Sequence, residues 1–163
     1  QGAIWRFYRG EVRRLYGAIS IPNAIAFPPD GKSAQFTDTA TGRVMRVALD
    51  TAGWPKGEPE VFLDLTAEGL NPDGAVFDAT GCMWLAEWGA ARVAAYAPDG
   101  TRAETVAFPA PHTSCPAFGG TTLYCTTALH LMTAEARAAH PQAGHTFAMP
   151  GVARGLSEHQ VIL

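Results

Sequence analysis

The sequence predicts an all-β chain of repeated antiparallel blades, a partial β-propeller, and three observations carry that prediction. A stretch of about fifty residues recurs: Pro22 is answered by Pro72, Phe27 by Phe77, Asp38 by Glu87 and Arg43-Val44 by Arg92-Val93. That period lies inside the range of four-stranded propeller blades. Each copy also carries a Gly-bearing turn between two apolar runs, at Asp30-Gly31, Thr80-Gly81 and Gly119-Gly120, because a tight hairpin needs a residue at positive φ. Finally, seventeen glycines and twelve prolines stand in a chain that is 47% hydrophobic and only 17% charged. That composition describes many short elements joined by tight turns, and it excludes a disordered chain.

The elements follow in order. Residues 1–16 read as the outer two strands of a preceding blade, turning at Arg9-Gly10, with Arg13-Arg14 on a solvent-facing strand surface. The first full repeat has strands at residues 21–27, 33–38 and 43–49, then a long turn at 50–59 and a fourth strand at 60–63. The second repeat has strands at 71–77, 82–87 and 92–97, and after Pro98-Asp99-Gly100 a fourth at 102–108. A weaker third copy runs through 114–118 and 121–127. Residues 132–140, Ala-rich and closed by Pro141, predict one helix inserted in the last blade, and residues 145–149 and 160–163 return to strand character. The chain, residues 1–163, is thus read as a single partial propeller domain of about three blades plus the outer strands of another.

Several function classes are disfavoured. A net charge of −3 without a basic cluster beyond Arg13-Arg14 advertises neither a nucleic-acid nor a membrane partner. No apolar run is long enough to span a bilayer, no basic-then-apolar leader opens the chain, and the first residues already read as a strand. Cys82, Cys115 and Cys125 are odd in number and lack CxxC spacing, which predicts buried thiols suited to a reducing cytoplasm. His112, His130, His140, His145 and His159 show no HxH or HExxH spacing, and Ser114 lies in no GxSxG elbow.

In a propeller the first strand of each blade lines a central channel. Asn23 and Asp73 stand at the start of two such strands, each just after a proline. The second strand runs back, so Asp38 and Glu87 end beside them. Four oxygen-bearing side chains at one channel mouth would suit a hard divalent cation, with calcium, magnesium or manganese ahead of copper. Ser114 aligns with the first pair in the third copy. A local reading stands beside this one: Asn and Asp begin strands because they close turns, and Asp38 before Thr39 and Gly42 fits an ordinary loop.

The residues also resemble a family. Pro22-Asn23-Ala24-Ile25-Ala26-Phe27, Asp30-Gly31-Lys32, Thr37-Asp38, Asn71-Pro72-Asp73-Gly74, Trp84-Leu85-Ala86-Glu87-Trp88-Gly89 and Ser114-Cys115-Pro116-Ala117-Phe118-Gly119-Gly120 are similar to motifs of the SMP-30/gluconolactonase/LRE-like family. The resemblance runs from Gly2 to about Leu156. It implies a six-bladed propeller of which this chain is the C-terminal half, and metal-dependent hydrolysis of a small sugar lactone. It implies one divalent cation, calcium ahead of zinc, manganese, magnesium or iron, held by Asn23 and Asp73, with Asp73 also assisting catalysis. Glu87 and Trp88 become the substrate-contact candidates. Two departures matter. Ala24 stands where the family usually has glycine. The family's early metal-binding Glu, and a substrate-contacting Asn and Arg, belong to a first half that this sequence does not contain, so two of three protein ligands are expected. The alternative is a non-catalytic propeller fragment or binding scaffold, whose open edges would invite self-association.

Overall fold

The structure, a computed structural model, describes residues 2–157. Its strands form four antiparallel sheets, each a meander in chain order. Gly2–Tyr8 (β1) and Glu11–Ile19 (β2) make a two-stranded sheet. Its turn is Arg9-Gly10, at φ 50° and 81°, the doubly left-handed geometry that matches hairpin twist. Pro22–Ala26 (β3), Ser33–Asp38 (β4), Arg43–Leu49 (β5) and Pro55–Asp64 (β6) make the first four-stranded blade. Asn71–Phe77 (β7), Met83–Trp88 (β8), Arg92–Tyr96 (β9) and Arg102–Ala107 (β10) make the second. Thr113–Gly119 (β11), Thr122–Thr127 (β12) and Thr146–Met149 (β13) make a three-stranded third sheet, interrupted by the helix Ala134–Ala139 (α1).

The blades stack face to face, with the inner strands β3, β7 and β11 side by side. Side chains alternate across a strand, so a strand between two neighbours must be apolar on both faces. The second blade shows this most fully. From β8, Met83 and Leu85 join Val44, Leu63 and Tyr96 in the layer against the first blade. Trp84 and Ala86 join Phe108, Leu123 and Cys125 in the layer against the third. Ile19, Ala34, Phe36 and Val47 form a smaller layer between the hairpin and the first blade.

Several expectations need correction. β6 begins at Pro55 rather than residue 60. The Asp50 carboxylate accepts from the Ala52 and Trp54 backbone amides, which closes the turn early and pairs Leu49 with Pro55. An outermost strand tolerates Pro55 and Pro59, since one side of its backbone has no ladder to fill. The helix is six residues, not nine, starting only after Thr133 caps it by accepting from Ala136 N. Of the three cysteines, only Cys125 is buried; Cys82 is half-buried and Cys115 is exposed. Arg13 and Arg14 are exposed, as is Val12 at 63%. The strand expected at 160–163, and His159, lie outside the described residues.

Candidate functional site

The three inner strands share one irregularity. Pairing between β3 and β4 breaks after Asn23, between β7 and β8 after Pro72, and between β11 and β12 after Thr113. Asn23, Asp73 and Ser114 therefore sit at or beside a bulge in successive blades, where a strand re-aims its side chains. All three line one cavity of about 350 Å³, together with Gly74 and Cys115. The two small residues after the first pair serve different needs. Ala24 adopts φ 51°, a left-handed conformation that a Cβ disfavours. Gly74 lacks a positive φ, but a Cβ there would stand 2.6 Å from the Ser114 carbonyl and 2.9 Å from Cys115 Cα.

Asp73 is half-buried, and none of the described residues donates a hydrogen bond to its carboxylate. Burial pushes its pKa up to about 6, because desolvation penalises the charged form. Asn23 is held differently. Its Nδ2 donates to Thr39 Oγ1 at 2.9 Å, and the Thr39 hydroxyl donates to the Pro72 carbonyl at 2.7 Å. An amide oxygen and an uncompensated carboxylate at one cavity are hard donors, and they fit a hard cation. Among the described residues no group of three His, Cys, Asp or Glu converges on one point.

Asp38 and Glu87 do not join the cavity. Asp38 accepts from the Ser20 and Ile21 amides at 2.8 and 2.9 Å and caps the turn Thr39–Thr41 through Ala40 N. Burial pushes its carboxyl up, but the amide donors outweigh that and hold it below the ordinary range. Glu87 is 0% exposed. Its carboxylate is taken by Arg92 Nε and the Tyr96 hydroxyl. Burial, then the hydrogen bond and charge of Glu87, raise the Tyr96 pKa. The placement of Glu87 at the mouth as a substrate contact is therefore corrected: a substrate cannot reach it. Trp88 carries the His112 ring stacked on one face, centroids 4.3 Å apart and 12° from parallel, with His130 edge-on at 6.4 Å. One ring face is thus covered for any sugar.

Sequence reasoning missed Thr39 and the bulges. The hydroxyl-bearing residue just after Asp38 was a visible signal, but its reach to Pro72 depends on how two blades pack. A larger cavity of about 510 Å³ lies between the hairpin and the first blade, lined by apolar side chains such as Ile4, Tyr16, Phe27 and Phe36. None of the described residues that line it carries a carboxylate, whereas Asp73 lines the smaller cavity.

Meanders stacked around adjacent inner strands define a partial propeller, with a cavity lined by Asn23, Asp73 and Ser114 where those strands begin. The chain belongs to the SMP-30/Gluconolactonase/LRE-like family, whose region matches residues 1–129. It is 46% identical over 150 residues to a putative sugar lactone lactonase of Rhizobium meliloti (strain 1021), covering 90% of this chain and 51% of that one. It is 33% identical over 151 residues to the L-arabinolactonase of Azospirillum brasilense, covering 89% and 50%. The fold superposes with a TM-score of 0.94 on a calcium-binding protein, regucalcin, from Agrobacterium tumefaciens, at 39% identity over 99% of this chain and 56% of that one. The chain spans about half the length of the curated relatives it matches.

Proposed function

We propose that this chain supplies part of the metal site of an enzyme that hydrolyses a sugar lactone. The carrying observation is the cavity that gathers Asn23 and Asp73 from adjacent blades, with Asp73 desolvated and given no donor by the described residues. Asn23 Oδ1 and the Asp73 carboxylate are the protein oxygens this chain would offer to one divalent cation, calcium first in order. When bound, such a cation polarises a lactone carbonyl and stabilises the developing oxyanion. Asp73 would also accept a proton from the attacking water, a contribution typically worth ~10²–10⁴ in rate. Calcium takes roughly six to eight oxygens, so water, substrate and groups beyond these two residues would fill the remainder. The names of the lactonase and calcium-binding relatives point the same way.

The test is a calcium titration of the full chain followed by its melting temperature, alongside hydrolysis of glucono-δ-lactone with and without chelator. Saturating calcium at ~100 times its Kd adds about 2.7 kcal/mol of stability, and Asp73→Asn removes that gain. A wild-type chain whose melting is indifferent to calcium, manganese and zinc would sink the reading. A second reading, a non-catalytic scaffold that self-associates, is favoured by the apolar edge around Trp5 (60% exposed), Phe7, Val12 and Ile25. A concentration-dependent dimer with no cation response and no lactone hydrolysis would select it.

A further inference from the structure

Thr39 stands where the two candidate donors meet, and its hydrogen bonds have a direction. A threonine hydroxyl has one proton to give. The carbonyl of Pro72, 2.7 Å away, can only accept, so that proton goes to Pro72. Toward Asn23, 2.9 Å away, Thr39 Oγ1 is therefore an acceptor only, and the group it can accept from is the amide nitrogen. The amide assignment of an asparagine is ordinarily open to a flip; here the chain of donors closes it. Nδ2 turns to Thr39, and Oδ1 remains for the cavity that Asn23 lines.

The backbone of Thr39 is fixed independently. Its N–H donates to the Ile21 carbonyl at 3.0 Å, its carbonyl accepts from Gly42 N at 3.2 Å, and Asp38 caps the turn it opens. Pro72, the other end of the relay, is the residue immediately before Asp73. One hydroxyl thus orients the amide of one blade and grips the backbone beside the carboxylate of the next. We propose that Thr39 is a positioning residue for a divalent cation, presenting Asn23 Oδ1 as a metal ligand and setting the spacing between Asn23 and Asp73. The inference rests on the reading that those two residues hold the cation. Outer hydrogen-bond partners that orient a ligand typically change metal affinity by about 10- to 100-fold when removed.

The experiment compares Thr39→Val, nearly the same in shape but unable to hydrogen-bond, with Thr39→Ser, which keeps the hydroxyl. Calcium affinity is measured by calorimetry on the full chain, with Asp73→Asn as a reference. Thr39→Val is expected to weaken calcium binding by about 10-fold or more, and Thr39→Ser to stay within about threefold of wild type. Thr39→Val binding calcium like wild type, or Thr39→Ser failing as Thr39→Val does, would overturn the inference while leaving the site itself intact. Loss of the reading is a different outcome: Asp73→Asn binding as tightly as wild type, or no cation bound by any variant. A metal-free measurement guards against a purely structural effect. The side-chain amide of Asn23 should show slowed hydrogen exchange by NMR in wild type and Thr39→Ser, and lose that protection in Thr39→Val. Equal protection in all three would overturn the orientation argument directly.

Discussion

The first and second blades share a register and diverge in what their equivalent side chains do. Asp38 pairs across from Pro22, and Glu87 across from Pro72. Asp38 turns back on its own neighbourhood, accepting backbone amides from residues 20, 21 and 40. Glu87 reaches forward along its sheet to Arg92 and Tyr96. One methylene separates the two acids, and it decides the matter. The shorter carboxylate can cap the turn that begins at its own residue, whereas the longer one spans to the neighbouring strand. The setting then seals the difference. The Thr113 hydroxyl of the third sheet donates to the Arg92 carbonyl at 2.9 Å, lies 3.3 Å from the Glu87 carbonyl, and belongs to a fully buried residue. Repeat alignment thus transfers backbone position between blades, while side-chain length and the next blade assign the role.

Four substitutions sharpen that contrast, beginning with the largest effect. Glu87→Ala leaves the Arg92 guanidinium and Tyr96 hydroxyl facing a void; breaking a buried pair costs about 3–5 kcal/mol, and Arg92, partly exposed, places this case near 3. Chemical denaturation checks it, and a loss below about 1 kcal/mol would erase the distinction between the acids.

Gly74→Ala drives a methyl into the Ser114 carbonyl. Overpacking of this kind costs about 1–3 kcal/mol, and a thermal melt that does not move would mean the blades part freely at this point.

Asp38→Ala removes one cap, worth about 1 kcal/mol. Because the folded carboxyl titrates below its ordinary value, its contribution is present above the unfolded pKa of ~3.9 and disappears as pH falls through the lower folded value. Wild type and variant should therefore converge in strongly acidic urea titrations and separate at neutral pH. The reverse order would assign the Asp38 bonds no stabilising role.

Ala24→Gly is the smallest. Relief of the left-handed strain gains about 1 kcal/mol, while losing a buried methyl costs ~0.8 and glycine's added chain entropy ~0.5 or more. The net should lie within about 1 kcal/mol of zero. A larger shift in the denaturation midpoint would show that one of those contributions has been misjudged.

Much of the fold was legible because its signals are local. The strands β4, β5 and β7 fall where the apolar runs and turns placed them, and the Arg9-Gly10 turn has the conformation its glycine suggests. The bulges at Asn23, Pro72 and Thr113 were not legible, since a ladder irregularity depends on the partner strand's register. Asp50 shortened its loop through its own carboxylate, which residue counting could not distinguish from a longer turn. At the site, Asn23 and Asp73 were visible as a repeated pair. The burial of Glu87, the ring on Trp88 and the reach of Thr39 were not, because each is decided by a neighbouring blade or loop distant in sequence.

The burial of β8 on both faces has a consequence for how the molecule opens. Met83, Trp84, Leu85, Ala86 and Glu87 are all buried, whereas β1 and β2 expose Trp5, Phe7 and Val12. Amides buried between two layers exchange with solvent only when the whole structure comes apart, while edge elements open alone. In deuterated buffer the hairpin should therefore label first and β8 last. The second strand of the second blade is the clock against which every other opening is timed.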